Sequence, residues 1–280
     1  MRAKHGWHVC TILSALLAAS PVHAAPQHVV SANVCADEYV FRLVPRDHIA
    51  ALSYLAADRH PVVSTIVDRV QGIPLIHESA EEILSKHPDL VVTYAGVNQN
   101  LHVLLAAAHI PVLDVPWTNS IAQIRKVTLM LGEKLGAPAR AQALLKQMDA
   151  KLAYARAHAA HPPLRTLVYE PNGYVTAGGA TDEIMTAAGL VNAAPQMKLT
   201  RLGTLPIEAV IASAPELLIL NGQQTASSRA DLLLHHPALA ALKGKTTIVW
   251  TQLTPLLCPG PWSAQSAVQF AKLAAATPRH

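Results

Sequence analysis

The sequence predicts an α/β protein of two pseudo-symmetric lobes. Each has a mainly parallel sheet, one long α-helix joins them, and a ligand cleft lies between. Three observations carry this. Short, continuous apolar runs alternate with helical stretches on both sides of residues 119–163, the pattern of parallel strands covered on both faces. Residues 81–94 align without a gap on residues 208–221: Glu81 meets Glu208, Ile83 meets Val210, Pro88 meets Pro215 and Asp89 meets Glu216. Between the two matched segments, Ala141, Leu144, Leu145, Met148, Leu152, Ala155 and Ala159 form one apolar stripe on a helix from Pro138 to Ala160. Such a helix spans about 35 Å, enough to act as a strut.

Residues 1–24 read as a secretory signal peptide. Arg2, Lys4 and His5 precede the apolar run Val9–Ala19, and Val22-His23-Ala24 is a small-residue cleavage site. The run is short for a bilayer span, so an exported chain cleaved near Ala24 is expected. The N-terminal lobe is assigned to residues 25–118. Its strands are Val29–Ser31, Ile49–Tyr54, Asp89–Tyr94 and Ile110–Val115; its helices lie near Asp37–Leu43, Ser79–Lys86 and Asn98–Ala108. The linker covers residues 119–163. Ser120 and Gln123 form a capping box, Gly136-Ala137-Pro138 makes the hinge, Pro138 suits a first helical turn, and His161-Pro162-Pro163 stops the second helix. The C-terminal lobe, residues 164–280, carries strands at Arg165–Glu170, Glu216–Leu220 and Thr246–Thr251. Its helices are at Thr181–Ala188, Pro206–Ser213, Ala230–Leu242 (broken at Pro237) and Ser263–Ala276.

The chain is 14% charged, so a substantial core forms readily. The formal charge of +4 includes Arg2 and Lys4; removing residues 1–24 leaves 20 basic side chains against 18 acidic ones. No basic block remains to track a nucleic-acid backbone, and that class of partner is excluded.

Ligands of parallel α/β sheets sit outside the carboxyl ends of the strands. Tyr54, Tyr94, Trp117, Tyr169, Tyr174, Trp250 and Trp262 all fall at or just after strand exits. That points to a cleft for something flat or greasy. Cys35 and Cys258, the only cysteines after processing, lie in strand-exit loops. They are read as a disulfide, the default in an oxidising compartment, as contacts to a bound metal complex, or as free thiols. The fifteen histidines are scattered, with no pair at metal-binding helical spacing. No phosphate-loop, dinucleotide or nucleophile-elbow pattern appears, and no catalytic or metal-ligating residue is assigned.

With these features together, the chain resembles the periplasmic substrate-binding proteins of ABC importers, in the helical-hinge group that carries cobalamin, iron–siderophore complexes and haem. The most specific segments are Ser79-Ala-Glu-Glu-Ile-Leu-Ser-Lys-His-Pro-Asp-Leu-Val-Val, Thr181-Asp-Glu-Ile-Met with Ala188-Gly-Leu-Val-Asn, and Leu205-Pro-Ile-Glu-Ala-Val-Ile-Ala-Ser-Ala-Pro-Glu-Leu-Leu-Ile. The resemblance implies a monomeric, non-enzymatic solute-binding protein in the periplasm. It would deliver a metal chelate or corrinoid to an ABC permease and ATPase complex, with no cofactor beyond the iron or cobalt of the ligand itself. It maps ligand contacts onto Ser31, Asn33, Cys35, Tyr54, Tyr94, Trp117, Tyr169, Asn172, Trp250, Cys258 and Trp262, and permease docking onto Glu81 and Glu208. The chain departs from binders of anionic siderophores in having no obvious set of cleft arginines, Arg59 and Arg201 being the candidates, which leans towards a neutral or weakly charged flat ligand. The Leu257-Cys-Pro-Gly-Pro-Trp262 stretch is also not a standard feature of the group. The competing classes are an exported enzyme, with Cys35 or a loop histidine as its reactive group, and a metal-ion chaperone using the histidines.

Overall fold

The computed structural model describes residues 25–59, 62–225 and 228–279; the signal peptide expected at residues 1–24 lies outside them. In the N-terminal lobe, β1 (Val29–Ser31), α1 (Val34–Leu43), β2 (Ile49–Ser53), β3 (Leu75–Ile76), α2 (Ala80–Leu84), β4 (Leu90–Tyr94), α3 (Gln99–Ala107) and β5 (Val112–Val115) follow in order. The sheet runs β3-β2-β1-β4-β5, every pairing parallel. Its two faces bury separate cores. Tyr39, Val40 and Leu43 of α1 cover one; Ile83, Leu101 and Leu105 of α2 and α3 cover the other.

Two helices follow, α4 (Ile121–Lys134) and α5 (Pro138–Ala157). Gln123 N–H donates to Ser120 Oγ, and the Gln123 side chain reaches back to the backbone N–H of Asn119 rather than to that of Ser120. The helices pack antiparallel: Arg125 pairs with Asp149, and Gly132 lies so close to Ala141 that a β-carbon there would collide with it. Ala137 and Ala141 belong to the N-terminal core, whereas Leu145, Met148, Leu152 and Ala155 belong to the C-terminal one. The strut therefore does cross between lobes. It is not alone: in α4, Ile124 lies in the C-terminal core while Val127 and Leu131 lie in the other. The second helix ends at Ala157, one turn earlier than the stripe suggested.

The C-terminal lobe contains β6 (Leu164–Tyr169), β7 (Tyr174–Val175), α6 (Gly179–Ala187), β8 (Leu190–Asn192), β9 (Gly203–Thr204), α7 (Ile207–Ser213), β10 (Leu217–Asn221), β11 (Thr247–Thr251), α8 (Thr254–Leu257) and α9 (Ala264–Ala276). The parallel sheet runs β11-β10-β6-β8, and β7 and β9 form a separate antiparallel ribbon. Read from its other edge, β8-β6-β10-β11 has the connectivity of β2-β1-β4-β5; only β3 lacks a counterpart.

The likeness extends to side chains. Asp89, opening β4, accepts the backbone N–H groups of Gln27 and His28 just before β1. Glu216, opening β10, accepts the N–H of Arg165 in β6. In the fourth position of α1, Asp37 accepts the N–H and the hydroxyl of Ser53 at the end of β2. In the fourth position of α6, Asp182 accepts from Asn192 at the end of β8. Each aspartate precedes a glutamate that holds a passing loop: Glu38 accepts from Ser64 and Thr65, and Glu183 accepts the N–H of Ile121. Apart from Asp182, whose partner is the Asn192 side-chain amide, these acids satisfy backbone donors that a strand, helix or loop end leaves unpaired.

After α8 the chain returns to the N-terminal lobe. Cys258 and Trp262 are buried in that lobe's core, and Cys258 is disulfide-bonded to Cys35 near the start of α1. The Trp262 ring meets Tyr39 edge-on at 4.8 Å between centroids, and the Arg42 guanidinium stacks over it at 4.5 Å. No helix among the described residues is long and apolar enough to cross a membrane.

Candidate functional site

A cavity of about 700 Å³ opens at the carboxyl ends of β6, β10 and β11, where parallel sheets place ligands. Glu170 follows β6, Asn221 ends β10, and Gln252 and Leu253 follow β11; Tyr174 and Thr176 come from the ribbon side. Leu256 and Leu257 of α8 and the exposed Leu202 supply apolar surface. The opposite wall is Arg59 and Val62, in the loop between β2 and β3 of the other lobe. Thr254 reaches across from the C-terminal side, its hydroxyl donating to the Val62 carbonyl at 3.4 Å. The cavity size is ordinary for a small-molecule site.

Local sequence explains the polar floor. Residues alternate across a strand, so Tyr169 turns into the C-terminal core while Glu170, one step on, turns out. Pro171-Asn172-Gly173 then makes a tight turn with Asn172 at φ 58° and Gly173 at φ 76°. A β-carbon at Gly173 would press on Leu233, the Leu205 carbonyl and the Tyr169 hydroxyl, so glycine is required there. Asn221 Oδ1 accepts the Leu253 N–H at 2.9 Å, which leaves its amide N–H to donate to Glu170 at 3.3 Å. Thr176 donates to the other Glu170 oxygen at 3.5 Å. Burial pushes the Glu170 carboxyl above the usual carboxylate range, against the opposing pull of the Asn221 and Thr176 hydrogen bonds. Arg59 pairs with Asp68 at 2.6 Å on the exposed side of its loop.

Of the eleven residues expected to contact ligand, Asn172 lines this cavity. Tyr54, Tyr94 and Trp117 stand on the carboxyl edge of the N-terminal sheet. Tyr54 stacks on His77 at 4.7 Å, and Tyr94 meets the edge of Trp117 at 4.8 Å. Trp117 is 67% exposed and is held by its indole N–H donating to the Ala95 carbonyl. Asn33 caps α1, accepting the Cys35 N–H. Tyr94 is itself buried in the N-terminal core, and the remaining six do not line the cavity. Ser31 is fully buried beside Asp37. Tyr169 is fully buried, its hydroxyl donating to the Leu205 carbonyl. Cys35 and Cys258 are consumed in the disulfide, and Trp262 is a core residue. Trp250 stacks on His235 beside a second, shallower cavity of about 480 Å³ on another side of the lobe. Aromatic residues near strand exits therefore divide between rim and core, and position along the chain does not separate the two. Glu170, Asn221, Gln252 and Leu253 line the cavity and were not among the residues expected from the sequence. Strand alternation was the signal that would have found Glu170 next to Tyr169.

Glu81 and Glu208 are both exposed, each the second residue of its helix, α2 and α7.

Comparison with known proteins gives the fold a lineage. Residues 42–251 match the periplasmic binding protein family. No curated protein matches the chain. Among solved structures, the apo form of the periplasmic heme-binding protein RhuT from Roseiflexus sp. RS-1 is similar at 25% identity, with a TM-score of 0.73 over 90% of this chain and 98% of that one. The periplasmic heme-binding protein BhuT in complex with two hemes matches at 22% identity and TM-score 0.70, over 90% of this chain and 99% of that one. A periplasmic heme-binding protein from Pseudomonas aeruginosa matches at 20% and 0.68, over 91% and 94%.

Proposed function

The chain belongs to the periplasmic binding protein family, and on that premise we propose that it captures an iron chelate of the haem class for import. The supporting observation is the cavity at the strand exits, walled by one lobe, lidded by the Arg59–Val62 side of the other, and edged with Tyr174, Leu202 and Leu257. A flat macrocycle fits apolar lips above a small set of polar contacts. The names of the similar solved structures agree with haem before cobalamin or a siderophore. The exposed rings of Trp117 and Tyr54 extend the site as an aromatic shelf, with the buried Tyr94 packed against Trp117. Haem iron takes a His, Cys, Met or Tyr side chain as axial ligand. Tyr174 is the phenol on the cavity wall. His60, outside the described residues, falls in sequence between the wall residues Arg59 and Val62. Spectra of the Tyr174→Phe and His60→Ala complexes distinguish the two donors.

Residues 1–24 direct export in this reading, and the mature protein hands its ligand to an ABC permease as a monomer. Glu81 and Glu208 dock on it. Their equivalent places in α2 and α7 support a twofold contact, in which paired acids set orientation and encounter rate. Isolating the exported protein and identifying what co-purifies tests the ligand: an iron porphyrin is expected, and a bare metal ion or no chromophore contradicts it. Glu81→Ala with Glu208→Ala should abolish uptake and leave ligand affinity intact; unchanged uptake removes the docking role.

A further inference from the structure

Resting on the haem-class reading, we propose that Glu170 is a specificity-determining residue that keeps ligand carboxylates off the cavity floor and so fixes which edge of the ligand enters first. The floor is built around it. Asn221 is oriented by the Leu253 N–H, so its amide can only donate to Glu170, and Thr176 donates as well. These bonds hold the Glu170 carboxyl at the exits of adjacent strands with acceptor capacity left over. No cation is paired with it among the described hydrogen bonds and ion pairs. Arg59, the cationic side chain among the described wall residues, belongs to the opposite lobe, where it pairs with the exposed Asp68. The two walls therefore differ: a half-buried acid with no paired cation among the described residues on the C-terminal side, and an exposed arginine, already paired with Asp68, at the N-terminal lip. A ligand carboxylate driven onto the floor would face a fixed charge or force Glu170 to take up a proton, and both cost affinity. A carboxylate at the lip meets Arg59 and water instead. The ligand's apolar or donor-bearing edge goes in, and its acidic edge stays out.

The test is a charge series of iron porphyrins: octaethylporphyrin with no peripheral carboxylate, haemin with two on one edge, and coproporphyrin with four around the ring. Dissociation constants are measured for the wild type and for Glu170→Gln, whose side-chain carbonyl still accepts from Asn221. The variant should bind iron coproporphyrin about 10-fold or more tightly than the wild type does. Haemin should change much less, because both its carboxylates can face outward, and iron octaethylporphyrin should not tighten. An equal change across the series, or none, overturns the inference while leaving the haem-class reading in place. Failure of the wild type to bind any of the three removes that reading and this inference with it. Should Glu170→Gln not fold, Arg59→Gln tests the same polarity from the other wall. Binding that weakens further with each pair of carboxylates supports it; a uniform change overturns it.

Discussion

The two lobes share a framework and differ in what they place on it. Both order their strands alike, and both use an acid at the strand following the glutamate-bearing helix to hold the first strand. Both put Asp-Glu in the first turns of the helix after that strand. Yet the C-terminal lobe supplies the polar floor of the cavity, while the N-terminal lobe supplies Arg59 and Val62 of the opposite wall and exposed rings at Tyr54 and Trp117. Repetition resides where backbone groups need partners, and divergence resides at the strand exits, where the fold makes no such demand.

The largest expected effect breaks the symmetry outright. Trp262 comes from the C-terminal part of the chain but fills the N-terminal core, between Tyr39 and Arg42. Trp262→Ala should cost about 3–5 kcal/mol in denaturant unfolding; a loss below about 1 kcal/mol would mean that the crossing segment is peripheral.

Asp37, under the N-terminal sheet, ties stability to pH. Burial is the main cause raising Asp37 to about 7 from 3.8, opposed by hydrogen bonds from Ser31 and Ser53. The folded state then holds a proton that the unfolded state releases. The stabilisation is full below pH 3.8 and is lost as pH rises through about 7, by up to about 4 kcal/mol. Asp37→Asn should flatten that slope in urea titrations. Equal slopes in wild type and Asp37→Asn would contradict the assignment.

The smallest effects sharpen the comparison. Asp89→Ala strands two backbone N–H groups, those of Gln27 and His28, whereas Glu216→Ala strands that of Arg165. The first should cost about 1–2 kcal/mol and the second about 1 kcal/mol or less. The reverse order in thermal melts would show that the two acids are not equivalent devices.

Much of the framework was legible in the sequence because its causes are local and periodic. The stripe from Ala141 to Ala155 and the acids at 89 and 216 each have a physical role that the structure displays. The second repeat, Asp37-Glu38 against Asp182-Glu183, was equally present in the letters. It lies at a different offset, since the β7–β9 ribbon and the loop before β3 are not shared, and a search at one spacing passes over it. Strands of two or three residues, such as β3, β7, β8 and β9, carry too little periodicity to stand out. The site was harder. Tyr169 and Glu170 are adjacent, and which one faces the cavity depends on strand register, not on residue type. Cys258 and Trp262 looked like cleft residues because the chain's return into the opposite lobe is a tertiary event with no local signature.

The most direct test of the whole account is an absorbance titration of the mature protein with haemin. The account predicts a saturable, one-to-one shift of the main visible band, weakened about 10-fold or more by Trp117→Ala, whose ring is exposed on the aromatic shelf. A spectrum that changes linearly without saturation, or a saturable shift that survives Trp117→Ala unweakened, would contradict capture in this cleft.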